Sequence, residues 1–257
     1  MVHLAGARLE ISGKTTILTG SGDDQVRVAG PGPGRPGVLG NLSIDTAGGN
    51  DGVLISALHA GDLTLKVGPD TNTVAIGDRT LNGQPPTFLG PVTFAGRVLL
   101  TAENGNNNFA FRQVTFSSFF HFQGSQFVDE LVPPSFNFMN IQATIFGGDA
   151  RFDTGAGRDR IDIQRPDEVS EVGSTLFFGR AIFDLGRGDD VVNVGHRDDA
   201  TRAVVFVGRV TCDGGPGTDA IRGFSPVGAI VFFRGHGETS ATFDDAQETV
   251  RRFGPTR

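Results

Sequence analysis

The chain contains no tryptophan and no tyrosine, a single cysteine and two lysines among 257 residues. Each shortage excludes something. One cysteine, Cys212, excludes an intrachain disulfide and a zinc site built on several thiolates. With Lys14 and Lys66 the only lysines and a net charge of −7, the chain lacks the basic surface that nucleic acid requires. No apolar run approaches the length of a membrane span. The opening "MVHLAGARLEISGK" lacks the basic start and long apolar centre of a secretory leader. The five histidines, His3, His59, His121, His196 and His236, are scattered without ligand spacing, and no phosphate-cradling loop or nucleophile elbow occurs. The Trp and Tyr platforms on which sugar-processing grooves usually rely are missing as well.

Glycine and phenylalanine are plentiful instead, with 38 and 22 copies. Glycine stands at about twice its usual share without the every-third-residue spacing of collagen. Hydrophobic content of 38% is enough for a core. The glycines mark a repeat. A sixteen-residue unit recurs without internal gaps as "GKTTILTGSGDDQVRV" from Gly13, "GNLSIDTAGGNDGVLI" from Gly40 and "GDLTLKVGPDTNTVAI" from Gly61. It returns as "GRVLLTAENGNNNFAF" from Gly96, "GDARFDTGAGRDRIDI" from Gly148, "GRAIFDLGRGDDVVNV" from Gly179 and "GRVTCDGGPGTDAIRG" from Gly208. The starts lie 27, 21, 35, 52, 31 and 29 residues apart, so the interval of 52 predicts a degenerate copy between Phe111 and Gly148.

Counting from the opening glycine, places three and five are mostly apolar, as in Leu42 and Ile44, and so are places fourteen and sixteen, as in Val192 and Val194. Period two on both sides of a turn predicts two short strands, each with one face buried. A third alternation precedes most copies: "LEIS", "VTFA", "TLFF", "VVFV". Three strands per turn of chain predict an all-β fold, a single-stranded right-handed parallel β-helix of about eight to nine rungs. Equivalent residues then stack in columns about 4.8 Å apart. Residues 1–257 read as one such domain, with a degenerate Phe-rich rung or insertion at 112–147 and a cap at 240–257. Within that cap Ala246, Val250 and Phe253 would share one face of a short helix. Inward columns have nowhere to satisfy a phenol or an indole, which accounts for Phe without Tyr or Trp. Phe152 and Phe183 fall in one such column beside Cys212, read as a small buried hydrophobe. The excess of Phe between Arg112 and Phe146 is read as core packing in preference to an exposed strip.

At place twelve every copy carries Asp or Asn: Asp24, Asp51, Asn72, Asn107, Asp159, Asp190 and Asp219. Place ten is glycine except for Asp70. The segment "GGPGTDAIR", Gly214 to Arg222, resembles in full the nonapeptide G-G-x-G-x-D-x-(apolar)-x of hemolysin-type calcium-binding (RTX) repeats. "TGSGDDQVR", "TGAGRDRID" and "LGRGDDVVN" match it apart from the first glycine. The resemblance covers the turns, roughly a quarter of the chain, and not their spacing, since RTX nonapeptides run in tandem. The long-rung pattern is more loosely similar to secreted bacterial repeat proteins. What the resemblance implies is calcium as cofactor, held between stacked turns, with Asp189, Asp190 and Asp219 as one ligand set and Asp23, Asp24 and Asp51 as the other. From the residues alone a second reading stays open. Asx side chains bond backbone N–H groups two residues on, and glycines supply positive φ, so a metal-free Asx ladder turns the chain equally well. Asn72 and Asn107 preserve such a ladder and are poor calcium ligands.

Place six stacks Asp153, Asp184 and Asp213 on an outward face in three consecutive copies, with Arg151 two residues before Asp153. Carboxylates so placed repel unless neutralised. As a paired acid and base, or as calcium ligands with Arg151 as base, they would serve a polysaccharide lyase or hydrolase acting on acidic glycans. As a solvated face they are balanced by Arg151, Arg180 and Arg209. The expectation drawn from these features is a non-catalytic, secreted or cell-surface β-solenoid scaffold or adhesion module. Its partners would be cell-surface or polysaccharide material, with the glycan enzyme as the alternative.

Overall fold

A computed structural model gives the architecture of the chain. It describes residues 1–5, 8–32, 35–77, 90–125, 136–164, 173–195 and 203–223, and the backbone of three further strands, Ile230–Phe232, Thr239–Thr242 and Thr249–Arg251. The described residues are all-β and form three parallel sheets of ten, nine and nine strands. Successive strands in the chain enter the first, second and third sheet in turn, and each pairs with the strand three places along. This is a parallel β-helix. None of its elements is a helix long and apolar enough to cross a membrane.

The repeat maps directly onto the sheets. Places three to six form the third sheet, in strands such as Leu42–Asp45 and Ala181–Asp184, and places thirteen to sixteen form the first, in strands such as Val191–Val194. The preceding alternation forms the second, in Val92–Phe94, Thr175–Phe177 and Val204–Phe206. The degenerate copy is present: Phe120–Gln123 pairs with Val98–Ala102 and with Ala150–Asp153, and Phe136–Gln142 pairs with Gly105–Arg112 and with Arg160–Ile163. Ser118 stands where the other copies open with glycine. Residues 126–135, including Pro133 and Pro134, lie outside the described residues.

One apolar core runs along the axis from Ile17 to Ile221. Phenylalanine stacks in it as columns. Phe94, Phe116, Phe146, Phe177 and Phe206 follow one another through the second sheet with centroids 5.9, 5.1, 4.6 and 4.8 Å apart. Phe152 stacks on Phe183 at 5.0 Å in the third sheet, and Phe183 pairs in register with buried Cys212. In the Phe-rich break Phe116, Phe120 and Phe122 are wholly buried, whereas Phe136 stands outward at 38% exposure. Core packing accounts for part of that run, since Phe119 and Phe138 are only half-buried.

Two expectations need correction. Thr249–Arg251 is a strand paired with Ala220–Gly223, so it does not belong to a cap helix. The flanking residues, Ala246 and Phe253 among them, lie outside the described residues. The first sheet is also not buried on one face only. Leu54, Ala75, Ala110, Asn140, Asp162 and Asn193, all facing out, are buried too. The alternation rule assumes a wet outer face, and the apolar Leu54, Ala75 and Ala110 show that this one is not.

The turn between the third and first sheets explains the place-ten glycines. All six have positive φ, from 115° at Gly22 to 151° at Gly217, and Asp70 takes the same region at 83°. A Cβ on Gly188 would run into the carbonyl oxygen of Gly157 in the rung before. Gly188→Ala is therefore expected to cost about 2–4 kcal/mol in denaturant unfolding, combining positive-φ strain with that backbone clash. Phe146→Tyr tests the missing phenols. A hydroxyl at this wholly buried ring finds no partner in the Phe column, so a loss of about 1–3 kcal/mol is expected in the same measurement.

Candidate functional site

The turn edge is the first candidate. The place-twelve side chains lie in one column, extended by Asn137 from the degenerate rung, and they face inward. Asp51, Asn72, Asn107, Asn137, Asp159, Asp190 and Asp219 are at most 3% exposed. Their hydrogen bonds run between rungs. The backbone N–H of Asp24 donates to Asp51 Oδ1 at 2.9 Å, and that of Asp51 to Asn72 Oδ1 at 3.1 Å. Asn72 Nδ2 donates to Asn107 Oδ1 at 2.9 Å, and Asn107 Nδ2 to Asn137 Oδ1 at 3.2 Å. The N–H groups of Asn137, Asp159 and Asp190 donate to the Oδ1 atoms of Asp159, Asp190 and Asp219 at 2.7, 2.6 and 2.8 Å.

Place eleven forms a second ladder on the solvent side, running in the opposite direction. Asp23 Oδ1 accepts from the Asn50 N–H at 2.8 Å, Asn50 Oδ1 from the Thr71 N–H at 3.1 Å, and Asp189 Oδ1 from the Thr218 N–H at 3.1 Å. The Asx ladder thus exists, but it bonds across rungs, not to amides two residues on. The within-chain Asx bond occurs at place six, where Asp45 and Asp213 accept from the Ala47 and Gly215 N–H groups.

This geometry bears on calcium. Adjacent residues point to opposite sides of the strand, so Asp189 is exposed while Asp190 is buried, and Asp23 is exposed while Asp24 is half-buried. Within each implied ligand set the structure stacks Asp190 on Asp219 and Asp24 against Asp51, and sends Asp189 and Asp23 elsewhere. Calcium takes about six to eight oxygens around one point. Among the described residues no three His, Cys, Asp or Glu side chains are grouped to hold a metal, and one oxygen of each inward carboxylate from Asp51 onward is already taken by a backbone amide. Burial pushes the Asp159 carboxyl up to about 7 and the Asp190 carboxyl up to about 8.

The outward acids form the second candidate. Asp153, Asp184 and Asp213 are in register on the third sheet. Arg151 Nε donates to both oxygens of Asp153 at 2.7 and 2.8 Å, and its Nη2 lies 3.3 Å from Asp184 Oδ2. His121 Nε2 sits 2.9 Å from Asp153 Oδ2. Burial, with the Asp153 charge second, raises the Asp184 carboxyl above its ordinary range. Arg180 does not balance this column. It is bound to Asp149 through Nη2 at 2.6 Å and Nε at 2.9 Å, and so holds the Asp149 carboxyl below its usual value.

His121 was not singled out by spacing. Its signal was the register of the degenerate rung, which sets it at place four beside Arg151. A buried group on the outer face of the first sheet carried no signal either. There Asp162, wholly buried, accepts from Arg160 Nε at 2.9 Å and Asn193 Nδ2 at 2.6 Å. His196 and His236 lie outside the described residues. Comparison with protein-family models, curated proteins and solved structures finds no match to this chain.

The ladder makes Asn107 a structural residue. Asn107→Ala removes the acceptor for Asn72 Nδ2 and leaves that amide hydrogen short of a partner in a buried site. A loss of about 1–3 kcal/mol is expected in urea unfolding, with an unchanged far-ultraviolet β signature.

Proposed function

We propose that this chain is a non-catalytic β-solenoid scaffold or adhesion module, working outside the cell. The observation that supports the reading is where its acids are engaged. The inward carboxylates are tied to backbone amides of the adjoining rung, and Asp153, the most enclosed of the outward three, is clamped by Arg151 and His121. Groups held this way reinforce stacking. The product is a stiff coil with long sheet faces, a form suited to spacing or contact.

The second reading, a β-helix enzyme acting on acidic glycans, is favoured by one specific feature. His121, Asp153, Arg151 and Asp184 meet on one outward face. A histidine donating from Nε2 to a carboxylate keeps Nδ1 free to take a proton, and a neighbouring acid of raised pKa can give one. Incubation with pectate and alginate separates the two readings. The scaffold reading expects no unsaturated product and no new reducing ends. Product formation that is abolished by Asp184→Ala and by His121→Ala would replace it with the enzyme.

A further inference from the structure

Three consecutive rungs set matched side chains in pairs on the outer face of the first sheet, beside the turn. Asn106 and Asn108 pair in register with Phe136 and Phe138, and Phe138 pairs with Arg160. The backbone N–H of Asn137 donates to Asp159 of the following rung, which sets Arg158 beside Phe136. An amide pair, a ring pair and a guanidinium pair thus lie side by side, with about 4.8 Å between rungs.

The members nearer the sheet centre are engaged by the fold. The Phe136 and Phe138 rings are parallel to within 7°, with centroids 6.4 Å apart. Arg160 lies with Cζ 5.7 Å from the Phe138 centroid, and its Nε donates to Asp162 at 2.9 Å. The members nearer the turn are open. Phe136 is 38% exposed, the Arg158 side chain is 72% exposed, and Asn106 is exposed on the other flank of Phe136. Among the described residues the Arg158 guanidinium has no hydrogen-bond acceptor. Its ion pair with Asp189 spans 3.9 Å, too long for a hydrogen bond.

One kind of ligand answers all three groups. A uronic acid residue offers C–H groups to a ring face, hydroxyls to an amide and a planar carboxylate to a guanidinium fork. An acidic peptide side chain matches the guanidinium but brings no apolar face to the ring. The ring that serves here is a phenylalanine, in a chain without tryptophan or tyrosine.

We infer that Phe136, flanked by Asn106 and Arg158, is a binding platform for an acidic glycan, with the sugar on the exposed ring and its carboxylate on Arg158. The inference gives the adhesion reading a partner class and rests on that reading. The platform lies on a different sheet from the face that carries His121 and Asp153.

Native electrophoresis of the whole chain through gels containing polygalacturonate, alginate, dextran or polyglutamate tests this. The expected result is retardation by the two uronates alone, relieved by salt because the cation is exposed. Phe136→Ala and Arg158→Gln should each weaken the apparent affinity about tenfold. Should Phe136→Ala fail to fold, Arg158→Gln, at a position 72% exposed, still decides. No retardation of the wild type overturns the inference and leaves the scaffold reading standing. Undiminished retardation of the folded variants overturns the platform and leaves the adhesion reading standing. Loss of retardation in His121→Ala, with none lost in the platform variants, moves the glycan to the third sheet and also overturns it. Equal retardation by polyglutamate or by dextran overturns the acidic-glycan assignment. Cleavage of the uronates, with binding still lost in the platform variants, would overturn the scaffold reading and sustain the platform.

Discussion

The coil depends on each turn sitting directly upon the turn before it. At place ten the backbones approach so closely that a Cβ on Gly188 would meet the carbonyl oxygen of Gly157, and one on Gly217 that of Gly188. That contact fixes how these rungs stack at one edge. Once it is set, side chains sixteen or more residues apart in pattern, and 21 to 35 apart in the chain, fall into columns. Stacked phenylalanines and stacked Asx residues are two outcomes of the same constraint.

The two ladders at the turn complete the polar accounting. A corner leaves backbone N–H groups without a partner in either sheet, and buried amides must be satisfied. Place twelve serves them from the inside, in one direction along the axis, and place eleven serves them from the outside, in the other. The arrangement tolerates Asp or Asn in the column because both accept on Oδ1. It does not treat them alike at Asp159 and Asp190, where burial raises the carboxyl above its ordinary range. The same burial keeps the Cys212 thiol protonated, as expected for a small apolar filler next to Phe183.

The outer surfaces of the sheets are not equivalent. On the third sheet Asp153 is shared between Arg151 and His121, which binds three neighbouring strands together from outside. On the first sheet Asp162, which also accepts from Arg160 of its own strand, joins Asn193 of the next strand in a wholly or partly buried setting. On the third sheet His121, Arg151, Asp153 and Asp184 thereby meet on one face.

Periodicity in the chain determined the strands, their threefold grouping, the inward Phe columns and the Asx column, because period-two burial and a turn glycine leave marks on residue type at each copy. Ser118, Phe120 and Gln123 escaped that reading, since the degenerate rung keeps the register without the glycine. The second corner escaped it as well. Ala57, Gln113, Ala143 and Gln164 take positive φ there without being glycine, and Gly195 takes it at the place equivalent to Gln164. Residue type alone left open whether Asp190 faces a metal, the solvent or the core. Only the stacked structure decided that it faces inward, bonded to the amide of the previous rung and apart from Asp189, because side-chain direction at a corner follows from backbone twist and from what the adjoining rung presents. His121 met Asp153 for the same reason. Residues 32 apart in the chain become neighbours only when one rung is laid upon the next.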